Sequence, residues 1–304
     1  MLVYSERKRR TSLYPKTINR QHKDRLFRLL FQEKEELLSL YNAINGTNYT
    51  DIDALTVNTL DNSIYMGMKN DISFLVYGIL NLYEHQSTWN PNMPLRDLIY
   101  IVDLIKGYIE ENEMDVYGSK LIRIPTPQAI VFYNGTAEQP ERQMLKLSDS
   151  YQSKEKKGCL EFECLVLNIN YGKNKDLLEK CKQLMDYSIL IDRIRCHEKK
   201  LKNLELAVEK AIDECIEEGI LEKILRAQRG VVKDMILQEY DEQKHIENEK
   251  RWSYEDGREA GKKIGEKRVN TLTKYLIQAN RTEDLLRCIT DEEYQEQLFR
   301  EFGI

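Results

Sequence analysis

The amino-acid sequence predicts an α/β fold, in which a mixed sheet is flanked by helices and followed by an α-helical C-terminal extension. Apolar residues recur at helical spacing in two segments, residues 23–44 and 95–111. Between these segments lie apolar runs of strand length, and Gly78 is the only turn-forming residue between two of them. Together with the later segments, these patterns predict the order helix, three strands, helix, strand, strand and helix.

The N-terminal residues 1–20 are predicted to be a basic flexible arm that leads into the first helix. Residues 1–28 carry nine basic and two acidic side chains, a net charge of +7 in a chain with −5 overall. Such an arm either neutralises the phosphates of a nucleic acid or is a solubilising tail, and both interpretations remain open. The helix is expected to end at Gly46, which suits a left-handed cap. Asp24 lies in its first turn, where a carboxylate interacts favourably with the helix dipole.

The apolar runs after this helix predict a β-hairpin that brings two carboxylates together. Folding the chain near Tyr77–Ile79 places Asp71 opposite His85 or Gln86, within reach of Glu84. Side chains alternate along a strand, so Glu84 and Gln86 share one face and His85 points to the other, where it is expected to pack in the core. Two carboxylates and an amide at the end of an apolar hairpin have the composition of a small divalent-metal site.

The next helix carries two further candidate site residues. Pro94 stands near its first turn, and Arg96 and Tyr100 follow at positions i and i+4 on one face. In a functional role, Arg96 contacts a phosphate or orients the carboxylates. In a structural role, it stacks on Tyr100 or pairs with Asp97 or Glu110. The sequence does not decide between these roles.

The remaining segments complete a predicted core domain over residues 21–200. Its other elements are a strand within 52–59 and 64–68, a strand in 127–135, a loop in 136–158, a strand in 160–171 and a helix in 175–197. Residues 201–304 form the C-terminal extension, which is rich in charge and has apolar residues at helical spacing. Its glycines at 257, 261 and 265 predict a weak helix, with a last helix over 269–288. The extension is either an oligomerisation or interaction segment or a solvated tail.

Composition excludes several classes of function. Six scattered cysteines without a C-x-x-C pair, and four histidines spaced apart from them, argue against a zinc site and predict free thiols. No stretch reaches the roughly 18 apolar residues of a membrane span, and no secretory signal begins the chain, so a cytoplasmic location is expected. There is neither a Ser/His/Asp pattern nor a phosphate-binding Gly loop, so no nucleotide cofactor is expected.

The motif D-x12-E-x-Q, formed by Asp71, Glu84 and Gln86, resembles the PD-(D/E)XK nuclease signature in the variant where Gln replaces Lys. The longer phrases DRLFRLLF, NDISFLVYGILNLYEHQST, NPNMPLR and TPQAIVFYNGT resemble the recombination-promoting nuclease (Rpn) family, also called YhgA-like transposases. The resemblance covers about Asp24 to Tyr187. It implies the αβββαβ core of that nuclease fold, which agrees with the predicted order of elements.

The resemblance also implies an activity and a set of site residues. Mg²⁺, or another divalent cation, would be bound by Asp71, Glu84 and the backbone carbonyl of His85. Gln86 would orient a water without accepting its proton, because an amide is not a base. Asp24 would add a ligand or position a water. The candidate contacts to DNA are Arg96, Tyr100, Arg25 and Arg28.

Two functions from different classes therefore follow from the sequence. The first is a Mg²⁺-dependent DNA endonuclease linked to recombination or mobile elements. The second is a catalytically inactive nuclease fold that binds DNA or a protein partner. The C-terminal helices add the expectation of a homo-oligomer.

Overall fold

The computed structural model describes residues 25–57, 71–153 and 158–304, with only the backbone described at residues 25, 242–247, 249 and 250. The chain forms two compact units, one up to Asp241 and one from Glu242 to Ile304. The first unit contains a six-stranded mixed sheet with helices, so the predicted α/β class is confirmed. No helix in these ranges combines the length and the apolar character needed to cross a membrane.

The sheet contains both antiparallel and parallel pairs. Its strands are β1 Leu55–Val57, β2 Ile72–Val76, β3 Ile79–Gln86, β4 Thr126–Tyr133, β5 Arg142–Lys146 and β6 Glu163–Asn168. Their spatial order is β1-β2-β3-β4-β6-β5. The pairs β1–β2, β2–β3 and β5–β6 are antiparallel, whereas β3–β4 and β4–β6 are parallel. The carboxyl ends of β3, β4 and β6 therefore lie side by side.

The hairpin of β2 and β3 forms where the sequence predicts it, but with a different register. Tyr77 and Gly78 both adopt left-handed backbone conformations (φ 48° and 77°), which gives a two-residue turn of the type that suits the twist of a hairpin. Pairing therefore starts at Val76–Ile79 and continues to Ile72–Tyr83. One more step puts Asp71 opposite Glu84. The sequence predicts that His85 or Gln86 lies opposite Asp71. These two partners are wrong by one and two positions, respectively, because the turn is tighter than expected.

Helices cover both faces of the sheet in the first unit. They are α1 Arg25–Leu30, α2 Lys34–Asn45, α3 Met93–Glu111, α4 Lys175–Lys180, α5 Lys182–Leu201, α6 Leu204–Glu217 and α7 Glu222–Ala227. Helix α3 packs on the face of β3 that carries Leu80 and Leu82. Helices α1, α2 and α5 pack on the opposite face, which carries Tyr83 of β3.

Two of the predicted elements differ in detail from those observed. The single helix predicted over 23–44 is divided into α1 and α2, and Glu33, which precedes α2, has an extended backbone. Gly46 caps α2 in the left-handed conformation, as predicted. The loop predicted over 136–158 contains β5 and a short 3-10 helix, Leu147–Ser150. Strand β5 is a polar edge strand in which only Leu145 is buried, so its sequence lacks a strand pattern.

The first unit extends beyond the boundary predicted at residue 200. Helix α6 buries five side chains, Ala207, Val208, Ala211, Ile212 and Cys215. Four of these, all except Ala207, belong to the same core cluster as Phe132 of β4 and Tyr187 of α5. The start of the predicted extension is therefore part of the core.

The second unit is entirely helical. Helix α8, Arg229–Gln278, includes the boundary between the units and is followed by α9 Thr282–Cys288 and α10 Glu292–Phe302. The glycines at 257, 261 and 265 lie inside α8 without interrupting it. The last helix predicted over 269–288 is wrong, because α8 continues to Gln278 and a new helix starts at Thr282. Leu272, Leu276, Cys288, Leu298 and Phe299 form a small core.

Candidate active site

Asp71 and Glu84 meet where β2 begins and β3 ends. The backbone N–H of Asp71 donates to Glu84 Oε1 (3.1 Å), and the N–H of His85 donates to Asp71 Oδ2 (2.7 Å). Each carboxylate therefore accepts a hydrogen bond from the strand that carries the other. The two residues are only 7% and 3% exposed. The register of the hairpin thus fixes both acids at one strand end, in a buried position.

The phenol of Tyr100 lies on the same side of the sheet as both acids. Burial raises the pKa of Tyr100, and the negative charges of Glu84 and Asp71 raise it further, against the opposing effect of Arg96. Tyr100 itself is only 2% exposed. Its hydroxyl is therefore available to Arg96 rather than to an external phosphate, which argues against the direct DNA contact expected for it.

Arg96, on helix α3, forms an ion pair with Glu84 on β3. Its Nη2 lies 3.6 Å from Glu84 Oε2 and 3.5 Å from the hydroxyl of Tyr100. Burial by itself would lower the pKa of Arg96, but Glu84 and the neighbouring groups hold it above its usual value. The side chain keeps 35% of its surface exposed. Of the two roles that the sequence left open, these contacts favour orientation of a carboxylate.

Gln86 lies beside Arg96 on the same face as Glu84, as the strand alternation predicts. In the amide orientation that satisfies both its atoms, the oxygen accepts from Arg96 Nη1 at 3.1 Å and the nitrogen donates to the Thr88 carbonyl at 3.3 Å. Gln86 is partly exposed. Arg96 therefore links the carboxylate of Glu84 to the amide of Gln86.

His85 points to the opposite face and packs in the core, as predicted. Its ring stacks on Phe27 with the ring centres 5.1 Å apart, and its Nε2 lies 2.9 Å from the Tyr187 hydroxyl. The carbonyl of the next residue, Gln86, accepts the N–H of Asn134 at the end of β4. Since successive carbonyls of a strand point to opposite neighbours, the His85 carbonyl points toward β2, where Asp71 lies.

Of the remaining predicted site residues, only Arg28 has a described side chain, and it is not brought to this pair of acids. Asp24 and the arm of residues 1–20 lie outside the described residues. The side chain of Arg25 is likewise not described. Arg28 is half-buried on α1. That helix covers the face of His85, so Arg28 and Arg96 lie on different faces of the sheet.

Asp97 is an acid that the sequence analysis did not select. It is fully buried on α3, beside Arg96 and the thiol of Cys164. Burial raises its pKa from 3.8 to about 7, and the nearby Arg96 charge and Cys164 thiol offset only part of that rise. The sequence contains a pattern that indicates the burial of Asp97. Asp97 falls on the buried stripe of α3 that includes Met93, Tyr100 and Leu104.

Tyr187 and Asn134 were also missed as parts of the site. Tyr187 lies 102 positions after His85 in the chain, so no local pattern connects them. For Asn134, the sequence indicates only that a strand ends there, at Asn134-Gly135. Its side chain donates to the Tyr187 hydroxyl at 2.8 Å.

No third acid, histidine or cysteine joins Asp71 and Glu84 in a metal-binding group within the part of the chain that the structure describes. Comparisons with protein-family models, with curated proteins and with solved structures found no match to the chain.

Proposed function

We propose that the chain is a Mg²⁺-dependent DNA endonuclease with a PD-(D/E)XK-type core. The observation that carries this proposal is the meeting of Asp71 and Glu84, two buried carboxylates on neighbouring strands. The strand order around them, with helices on both faces, supports the same core. The sequence resemblance to recombination-promoting nucleases supplies the substrate class, DNA.

The donor set suits a hard divalent cation. Carboxylate and carbonyl oxygens are the ligands that Mg²⁺ prefers, and it commonly binds one or two carboxylates together with the phosphate of a substrate. Asp71, Glu84 and the His85 carbonyl would hold it. When bound, Mg²⁺ would act as a Lewis acid toward the phosphodiester and stabilise the charge that develops there.

The chain's own residues divide the remaining tasks. Arg96 keeps Glu84 and Gln86 in place, and its exposed fraction can face a phosphate. Gln86 can hold a water by hydrogen bonds, but it cannot remove a proton. The proton must therefore leave to bulk water or to the substrate phosphate, which predicts a slower enzyme than one with a lysine at this position.

A second function, binding of DNA or a partner without cleavage, is favoured by one observation. Glu84 already has a cationic neighbour in Arg96, and both acids accept backbone hydrogen bonds. This arrangement satisfies the acids without a metal ion. The two functions differ in whether the purified protein cuts DNA when Mg²⁺ is present.

The test is nicking of supercoiled plasmid with Mg²⁺ and with a chelator. We expect cleavage by the wild type with Mg²⁺ only. Glu84→Gln and Asp71→Asn should each lower the rate by about 100-fold or more, equivalent to roughly 3 kcal/mol of lost transition-state stabilisation. The matched control is Glu163→Gln, an acid of strand β6 that pairs with Lys146 at the surface. Wild-type rates in both site variants would contradict the assignment.

A further inference from the structure

A buried polar cluster lies directly beneath the candidate site, on the face of the sheet away from Glu84. The Tyr187 hydroxyl is 2.9 Å from His85 Nε2 and accepts a hydrogen bond from Asn134 Nδ2 at 2.8 Å. All three residues are buried. They come from α5, β3 and β4, so the cluster connects one helix to the carboxyl ends of two neighbouring strands.

The His85 side chain and the site share one peptide backbone. In the plane of the sheet, the His85 N–H donates to Asp71 Oδ2 at 2.7 Å, and the His85 carbonyl points toward the same strand. Below the sheet, Phe27 stacks on the imidazole and Tyr187 contacts its Nε2. The contacts that hold the ring therefore also restrict movement of the His85 backbone, whose N–H and carbonyl face the acids.

Asn134, which directly follows β4, is hydrogen-bonded to both β3 and α5. Its backbone N–H donates to the Gln86 carbonyl at 3.0 Å, while its side chain donates to Tyr187. The carbonyl of Asn134 accepts a hydrogen bond from Arg195 of α5. Asn134 is thus bonded to β3 through its main chain and to α5 through both its side chain and its main chain.

From these contacts we infer that Tyr187 and Asn134 are positioning residues, which hold the His85 peptide in the geometry that the candidate metal centre requires. The inference rests on the proposed function. Tyr187 contacts the His85 ring directly, and Asn134 contacts it through the Tyr187 hydroxyl. Both act through His85, whose N–H orients Asp71 and whose carbonyl is the third oxygen donor. Partners outside the ligand set commonly orient ligands in this way, and their loss weakens metal binding by about 10- to 100-fold.

The composition of the cluster supports positioning over simple packing. Around it the core is apolar and aromatic, with Phe27 and Phe132 in contact. Asn134 Oδ1 is buried without a hydrogen-bond partner among the described residues. Leaving such a group unpaired costs roughly 1–3 kcal/mol, and an apolar side chain would avoid that cost. A site that needs an oriented peptide gives a reason for a polar residue here.

The test compares Tyr187→Phe with Tyr83→Phe. Both replace a buried tyrosine on the same side of the sheet, but the Tyr83 hydroxyl has no partner among the described residues, which makes it a matched control. Binding of Mn²⁺ is measured by calorimetry, and the Mg²⁺ dependence of plasmid nicking is measured on the same proteins. We expect Tyr187→Phe to raise the dissociation constant for Mn²⁺ about tenfold, with Tyr83→Phe within about twofold of wild type.

Asn134→Leu is the second variant, since it removes the amide and keeps the number and branching of the side-chain heavy atoms. It should weaken Mn²⁺ binding in the same direction. Thermal unfolding identifies the folded fraction in each sample. A purely structural role would lower the melting temperature or the folded fraction but leave the affinity of the folded protein for Mn²⁺ unchanged.

The outcomes separate this inference from the proposed function. If the wild type binds Mn²⁺ but does not nick DNA, the nuclease proposal fails and the binding comparison still decides the role of Tyr187. Equal Mn²⁺ affinity in wild type and Tyr187→Phe overturns the positioning role alone. Absence of Mn²⁺ binding by the wild type overturns both.

Discussion

Glu84 and His85 are neighbours in the chain, yet they lie in opposite environments. Glu84 faces helix α3 beside Arg96, which is partly exposed, and its surroundings are charged. His85 faces helices α1 and α5, and its contacts are an aromatic ring and buried hydrogen bonds. The strand therefore separates groups that can act on a ligand from groups that hold the backbone. Substitutions of the charged groups beside Glu84 should change chemistry more than stability, whereas truncating the aromatic packing around His85 should mainly change stability.

The largest effect is expected from Phe27→Ala on the face of His85. Phe27 is fully buried and contacts His85, Phe132 and Tyr187. Truncating such a side chain removes its transfer energy and leaves a cavity, which costs about 3–5 kcal/mol. Chemical denaturation measures the change. Leu95→Ala, at an exposed position of α3, is the control and should change stability little. A loss below about 1 kcal/mol for Phe27→Ala would contradict the assigned role of this face.

The next largest effect is expected for Asp97→Asn, which should change how stability depends on pH. Asp97 is the buried acid of helix α3. Burial raises its pKa in the folded protein from 3.8 to about 7. The folded state therefore keeps a proton that the unfolded chain releases, so stability falls as pH rises from about 4 to 7 and stays low above that range, by roughly 4 kcal/mol at most. Asp97→Asn should remove this dependence and make the protein more stable than wild type at pH 8.

Unfolding measured at pH 5 and pH 8 tests this expectation. Asp103→Asn is the control, because Asp103 lies on the same helix at a partly exposed position near Lys106. This control should keep the wild-type pH dependence. A variant of Asp97 with the same pH dependence as wild type would show that this carboxyl does not titrate in the expected range.

A smaller effect is expected for Arg96→Met. The variant leaves Glu84 and Gln86 without the side chain that holds them. We expect Mg²⁺-dependent nicking to fall about tenfold, or 1.4 kcal/mol, while the melting temperature changes little. Arg226→Met, which breaks a surface pair with Glu222, is the matched control. Lost stability with unchanged nicking would instead make Arg96 a structural residue.

The smallest effect is expected for Glu163→Gln. Its pair with Lys146 joins β5 and β6 at the surface, away from both environments around β3. Surface ion pairs contribute little because water already solvates both charges. Nicking rate and melting temperature should both equal those of wild type, which provides the background for the other variants.

Much of this arrangement could be predicted from local pattern. The single glycine between two apolar runs predicts the hairpin, and strand alternation correctly separates Glu84 and Gln86 from His85. The exact pairing could not be predicted in the same way. It depends on Tyr77 adopting a left-handed conformation, which a residue other than glycine rarely does.

Other features depend on contacts between distant parts of the chain. Strand β5 is stabilised by its pairing with β6 and has little apolar pattern of its own. The hydrogen bond of Tyr187 to His85 joins residues that no spacing rule relates. Asp97 is a different case, since its helical position indicated burial although its charge argued against it.

The length of the turn at Tyr77–Gly78 determines which residues of β2 and β3 lie opposite each other. Five strand pairs, about 17 Å, separate that solvent-facing corner from the acids. Inserting one amino acid there while a two-residue turn is kept would shift every pair by one step, so that Asp71 would lie opposite His85 or Tyr83 instead of Glu84. We therefore expect length changes at this corner to abolish function even though the corner touches no ligand, whereas replacing Tyr77 with glycine, which adopts the same conformation without strain, should be tolerated.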